Sequence, residues 1–461
     1  MNHTSIKIVE LLHLLDNNTI EVIKNELEND ITIKADAHLL FHTIYKNKLY
    51  QLPSDTAHLI KSISKKQKYT PNEFRKLCHT LLLKIESILA SITFKGDVLF
   101  QQYFLLKFYK QYQLFSFYEQ AKNKIDKQEN ILFSTSVLEH YMLMNQSYYE
   151  TLIEDKTRAS ENNILPYSKA LDEYYMVQKL KLICHALNEQ HFTTLNIVPD
   201  YTNEILNINK KQYNILVQLY YDVAKLLQDI HQEDAFIDLK SFVKKSKNIH
   251  QDDLKIIIQY LINYCVIKIN KGASHFIREI FEMYKHYNEV IDEIYISPVR
   301  FKNIINVSIR LKEYSYAFLY IEKNGKKLPI EVQTSTIEFN KAKLYYEQKN
   351  YDAAIEILRT HQYDDIIFNL SAKVLLVQSF YEKKEFQFLE SFLESFRIFV
   401  LRNKEMNTVS KKIHQDFIKI IHRLMKMEFA GIKEIEAFKN KINDRDNLPD
   451  KAWILEKLDA I

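Results

Sequence analysis

The stretch FNKAKLYYEQKNYDAAIEIL, Phe339 to Leu358, decides the fold. It reads as two amphipathic helices joined by the short polar turn Lys349-Asn350-Tyr351. Ala342 lies nine residues before Tyr351 and Tyr345 six before; Ala354 lies three after and Leu358 seven after. Small side chains at the crossing let two antiparallel helices pack closely, and the aromatic wedges into the turn. One such hairpin cannot bury its own apolar face, so neighbours must stack on it.

The same layout occurs on both sides. Lys312-Glu313-Tyr314 precedes it by 37 residues (351 − 314) and Lys384-Glu385-Phe386 follows by 35 (386 − 351). The flanking positions are Ile305 and Ser308 before the first aromatic, with Ala317 and Ile321 after it. In the last copy they are Val377 and Phe380, then Leu389 and Leu393. This pattern resembles the tetratricopeptide repeat, whose period is ~34 residues. It departs from that repeat at Leu389, Ile305 and Val377, where small residues are usual. Lys312, Lys349 and Lys384 replace the usual turn glycine. The resemblance implies a right-handed α-solenoid of helical hairpins, with its best copies at 299–328, 336–362 and 371–397. A generic bundle of helical hairpins is the alternative.

Outward from the repeats, helical periodicity continues and period-two alternation is rare. In Lys411 to Glu428, Ile413, Phe417, Ile420, Ile421 and Leu424 form one apolar stripe. Asp253 to Lys268 is apolar almost all round and reads as a buried helix. Pro298 and Pro329 stand at helix starts, where a missing N–H costs little. Gly325 and Gly272 read as helix ends. The expectation is an all-α chain: an N-terminal helical region at 1–153, a polar linker at 154–165, a helical array at 166–404 and capping helices at 405–461.

The chain also resembles an uncharacterised bacterial family of helical-repeat proteins. The residues that carry this are Leu171 to Tyr175 with Lys179 and Leu180, Asn263 to Cys265, Ile269 to Gly272, Arg278 to Tyr284, Phe301 to Ile304, and Phe392 to Arg402. It covers Leu171 to Ile461 well and the earlier part loosely. It implies no activity.

Composition excludes several chemistries. The 461 residues contain 4 glycines, Gly96, Gly272, Gly325 and Gly431, each far from the next. Dinucleotide loops, P-loops and nucleophile elbows need glycines close together. A net charge of +4 is mild for this length. Cys78, Cys184 and Cys265 are too scattered for a zinc site or a disulfide framework. Glu10 interrupts the first apolar run, and the longest uncharged apolar stretch, Ile256 to Ile267, is short for a membrane span. The expectation is a cytoplasmic protein with no membrane span.

Chemistry-bearing pairs are sparse. His38 and His42 have a chelating spacing without the glutamate of a zinc protease, and the Glu10 to His13 spacing has no second copy. Cys184 and His185 are sequence neighbours, which point apart on a helix. Asp252-Asp253 and Asp364-Asp365 read as helix-start carboxylates. The reading therefore has no catalytic, metal-binding or cofactor-binding residues, and the protein is read as no enzyme.

The expected role is an intracellular interaction scaffold that binds a protein or peptide on the concave face of the solenoid. Phe339, Lys343, Tyr346, Gln378 and Tyr381 are expected to line that face. Some tetratricopeptide domains clamp a partner's carboxylate end with Lys and Asn. That resemblance places Lys302, Asn306 and Asn340 at clamp positions, while Ser371 and Leu375 depart from it. The second reading is nucleic-acid association through the basic runs Lys65-Lys66-Gln67-Lys68 and Lys244-Lys245-Ser246-Lys247. A solvated face is the simpler account of those runs.

Overall fold

The computed structural model describes residues 3–50, 56–63, 69–126, 133–154, 164–194, 196–361, 363, 365–427, 430–445 and 447–461. Among the described residues the chain is all-α, with no strand. It divides into two compact units, Met1–Gln178 and Lys179–Ile461. The division falls inside a helix. Residues 155–163 of the expected linker lie outside the described residues, as do residues 64–68, which carry the first basic run.

The first unit holds α1 (His3–Leu14), α2 (Asn17–Glu28), α3 (Ala35–Leu49), α4 (Thr56–Ile63), α5 (Pro71–Gly96), α6 (Val98–Gln111), α7 (Phe115–Asp126) and α8 (Thr135–Glu154). The next helix, α9 (Leu165–Phe192), begins in this unit and ends in the second. One core gathers α1 to α5 around Phe41, Phe74 and Ile85; a smaller one joins α6 to α8 around Leu106 and Tyr118.

The second unit continues with α10 (Thr202–Ile205), α11 (Ile215–Gln228), α12 (Glu233–Lys245), α13 (Gln251–Asn270) and α14 (Phe276–Val290). The three repeat hairpins are α15 (Pro298–Arg310) with α16 (Tyr314–Asn324), α17 (Ile330–Glu347) with α18 (Tyr351–Thr360), and α19 (Ile366–Glu382) with α20 (Phe386–Arg402). Beyond them lie α21 (Thr408–Met427), α22 (Ile432–Asn443) and α23 (Lys451–Asp459).

The hairpins start and stop for readable reasons. Ser297 accepts a hydrogen bond from the Arg300 N–H, and Pro298 occupies the first turn of α15. Asn350 caps α18 through the Ala353 N–H, and Asp365 caps α19 through the Ile367 and Phe368 N–H groups. Each first helix then ends in one motif. Lys312, Lys349 and Lys384 sit at φ 60°, 63° and 57°. Their N–H groups bond back to Ile309, Tyr346 and Tyr381, while the next N–H reaches Ser308, Tyr345 and Phe380. These are Schellman ends built on lysine, where glycine is usual.

Two further helix ends share this geometry. Gly272, at φ 98°, closes α13 through bonds to Ile269 and from Ala273 to Lys268. Gln113, at φ 55°, closes α6 through bonds to Lys110 and from Leu114 to Tyr109. Gly325 is a helix C-cap as expected, but with φ −54° in the right-handed region.

The packing positions read from the repeat are interior in every copy except at Tyr345. Ile305, Ala342 and Val377 are fully buried, as are Ala317, Ala354 and Leu389. Ile321, Leu358 and Leu393 are buried behind them, with Ser308 and Phe380; Tyr345 alone is half-buried. Helix α15 packs on α16 and α17, and α17 packs on α18 and α19. From α17 to α23 a single core runs through Val377, Leu393, Phe396, Phe417, Ile421 and Ile454. Each fully buried Phe or Leu there contributes about 1.5–3 kcal/mol relative to exposure.

Candidate functional site

A cavity of about 880 Å³ opens in the second unit across the first helices of the three repeat hairpins. Lys302 enters from α15; Phe339, Lys343, Tyr346 and Glu347 from α17; Ser371, Val374, Gln378 and Glu382 from α19. Residues 449–457 close the other side, with Asp450, Trp453 and Lys457 on the wall.

Of the eight residues read from the sequence, Lys302, Phe339, Lys343, Tyr346 and Gln378 line this cavity. Asn306 stands just behind it, accepting a hydrogen bond from Lys343 Nζ on its Oδ1 at 3.0 Å. Asn340 is buried, and its Nδ2 donates to the Thr336 carbonyl of its own helix at 2.7 Å. Tyr381 is buried against Trp453, with ring centroids 5.3 Å apart in an edge arrangement. Phe339 and Gln378 are likewise buried, so they form the floor of the cavity and do not project from it.

The cavity has two electrostatic ends. At one end Lys302 is exposed and Lys343 half-buried on adjacent first helices. Burial pushes the Lys343 amine below its ordinary range, while Glu347 and Asp450 pull it up and Lys302 pushes it further down. Burial likewise pushes the Glu347 carboxyl up. At the other end Glu382 closes α19. Its Oε1 accepts from Trp453 Nε1 at 2.7 Å and lies 2.7 Å from Lys457 Nζ. These three residues were missed by the sequence reading, because a contact spanning 71 residues leaves no periodic trace.

Other candidates have structural partners. Cys184 is buried and donates to the Tyr220 carbonyl, and burial pushes its thiol up. Asp252 lies in the first turn of α13, but Asp253 does more than meet a helix dipole. It is buried and accepts from Tyr220 at 2.7 Å and Lys181 at 2.9 Å. His42 lies 3.5 Å from Glu28. Lys244 of the second basic run is 3.8 Å from Glu282. Ser371 and His414 share the cavity, but among the described residues no hydrogen bond joins them; His414 Nδ1 meets the Ser410 carbonyl at 2.8 Å.

Two features lie in the first unit. A wider opening of about 1180 Å³ is lined by Tyr103, Phe104, Phe108 and Phe115 with Lys107 and Glu150. Helix α5 is long and apolar enough, by length and composition, to cross a membrane. Its Phe74, Cys78, Leu81, Ile85 and Ile88 pack in the core.

No family model, curated protein or solved structure matches the chain.

Proposed function

We propose that the chain is a non-enzymatic interaction scaffold of tetratricopeptide type, in which stacked hairpins form a right-handed α-solenoid. Its partner is a protein or peptide, held in the cavity across α15, α17 and α19. The carrying observation is that one cavity touches the first helices of all three hairpins, each ending in the same lysine-based turn. Aromatic floor residues and a pair of lysines suit a peptide with a carboxylate. Phe339 and Tyr346 supply apolar area, while Lys302 and Lys343 supply charge.

The lysine pair favours a carboxylate group of the partner, placed at a chain end or on a side chain. Working inside the cell in a reducing compartment fits three free, buried cysteines. The ionisable groups of the cavity favour binding over reaction, because Glu382 is already occupied by Trp453 and Lys457.

The test is titration of the full chain with synthetic peptides in three forms: free end carboxylate, amidated end, and amidated end with an internal Asp. Binding of the first or third form, weakened about tenfold by Lys302→Glu, supports the reading and identifies the carboxylate's source. Equal binding of all three forms, unaffected by Lys302→Glu, sinks it.

A further inference from the structure

Part of the cavity's wall is a segment of the chain itself. Residues 449–457 offer three chemically distinct groups in order. Asp450 faces the lysine end, and its charge acts on Lys343. Trp453 lies edge-on to Tyr381 and donates to Glu382. Lys457, one turn on, meets the same Glu382 oxygen. Glu382 is the last residue of α19, where the helix dipole adds negative potential and draws a cation. A carboxylate stands at the lysine end of the cavity, and a lysine is paired with a glutamate at the other.

The way α23 is held suggests exchange. Its body packs on α21 and α22, where Ile454 and Leu458 are buried. Toward α17 and α19 it offers the side chains of Asp450, Trp453 and Lys457. Those side chains supply a carboxylate near Lys343, a buried indole edge-on to Tyr381 that donates to Glu382, and an ion pair from Lys457 to Glu382, groups that a second segment can carry. Asp450, the residue before α23, has φ 44°, a left-handed conformation that costs most residues with a side chain of order 1–3 kcal/mol and aspartate less. The segment therefore enters the cavity under local strain.

We propose that residues 449–457 are an internal occupant of the groove, displaced when a partner binds. The partner is a helical protein segment with the same order of groups: a carboxylate, an aromatic ring about one turn on, and a lysine or arginine one turn further. This rests on the reading of the cavity as a peptide groove. Charge complementarity at both ends selects such a segment over an apolar helix, which would take the Trp453 and Lys457 partners from Glu382 and offer no carboxylate to Lys302 and Lys343.

The probe is a synthetic peptide of residues 447–461 with a fluorophore at its first residue, read by anisotropy. It is titrated into the full wild-type chain, the full chain carrying Trp453→Ala with Lys457→Ala, and the full chain carrying Lys457→Ala alone. Weakening the internal occupant should tighten probe binding about tenfold or more, and adding Glu382→Ala should abolish the gain. A double variant that keeps its circular dichroism but binds no tighter than wild type overturns the proposal. If the double variant loses helicity, Lys457→Ala alone decides by the same criterion. Carboxylate peptides that still bind the wild-type chain through Lys302, with no gain in the variants, overturn the internal occupant but leave the groove reading standing. If neither peptide set binds any folded chain, both readings fall.

Discussion

Lys343 Nζ donates to Asn306 Oδ1 at 3.0 Å, joining two residues 37 positions apart. That separation equals the spacing of the first two turns, so the bond links equivalent positions on successive first helices. Burial pushes the Lys343 amine down, so the folded chain holds its proton less well than the unfolded chain does. Keeping the charge there thus opposes stability at neutral pH. Lys343→Met should leave the melting temperature unchanged or raise it, by about 1 kcal/mol or less in stability, while carboxylate-peptide binding falls about tenfold. Calorimetry and a peptide titration on the same preparation check both halves. Loss of stability without loss of binding would assign Lys343 to the framework.

The lysine turns invite a pair of substitutions with opposite signs. Lys349 occupies φ 63°, where a side chain costs roughly 1–2 kcal/mol. Lys349→Gly removes that cost, but glycine's extra freedom in the unfolded chain returns about 0.5–1 kcal/mol of it. The expected net effect is a gain of up to about 1 kcal/mol, seen as a higher melting temperature. Lys349→Val, β-branched at the same φ, should lower it. The same pair of outcomes is expected at Lys312 and Lys384, which share the geometry.

These turns mark what the sequence made legible. A polar turn residue, one spacer and an aromatic predict a helix end, and the apolar positions around them are interior in each copy except at Tyr345. Gln113-Leu114-Phe115 follows the same order and makes the same turn. Its hairpin escapes a repeat comparison because seven residues after Phe115 stands Lys122, where the other copies hold Ile or Leu. The candidate site was legible in its floor but not in its far wall. Asn340 reads as a clamp position and Gln378 as a residue of the concave face, yet both are buried; Asn340 Nδ2 donates to the Thr336 carbonyl of its own helix, a choice open to short polar side chains, while its Oδ1 has no hydrogen-bond partner among the described residues. Trp453 and Glu382 meet through tertiary packing, which one-dimensional periodicity does not encode.

Gly325 is held by a close approach and not by its dihedral angle. A Cβ there would stand 2.7 Å from Ile337 Cδ1 and 3.1 Å from its Cγ1, while φ is helical at −54°. Alanine would gain from better helix propensity but must push the end of the isoleucine aside. Gly325→Ala is expected to cost about 1 kcal/mol. Combined with Ile337→Val, which deletes Cδ1, it should cost less than the sum of the two single changes by about 0.5–1 kcal/mol. A double-mutant cycle by urea unfolding measures that difference. Strict additivity would mean that Ile337 already yields freely.

Glu293 carries the strongest acid-side prediction. Its Oε1 lies 2.5 Å from Lys255 Nζ, both its oxygens lie 2.7 Å from Arg300 Nη1, and Tyr287 donates to Oε1 at 2.7 Å. Burial alone would raise this carboxyl, but the hydrogen bonds from Lys255, Arg300 and Tyr287 outweigh it and hold the group below its ordinary range. The folded chain therefore binds this proton less well than the unfolded chain. The stabilisation is complete above the unfolded glutamate pKa of about 4.3 and is lost as pH falls through the lower folded value. Glu293→Gln leaves Arg300 and Lys255 facing a neutral amide, which should cost about 3 kcal/mol at pH 7, the scale for breaking a buried pair. It should also flatten the acid limb of stability against pH for the second unit, followed by calorimetry below pH 5. A glutamine variant with the wild-type acid slope would show that the proton linkage resides in other carboxylates.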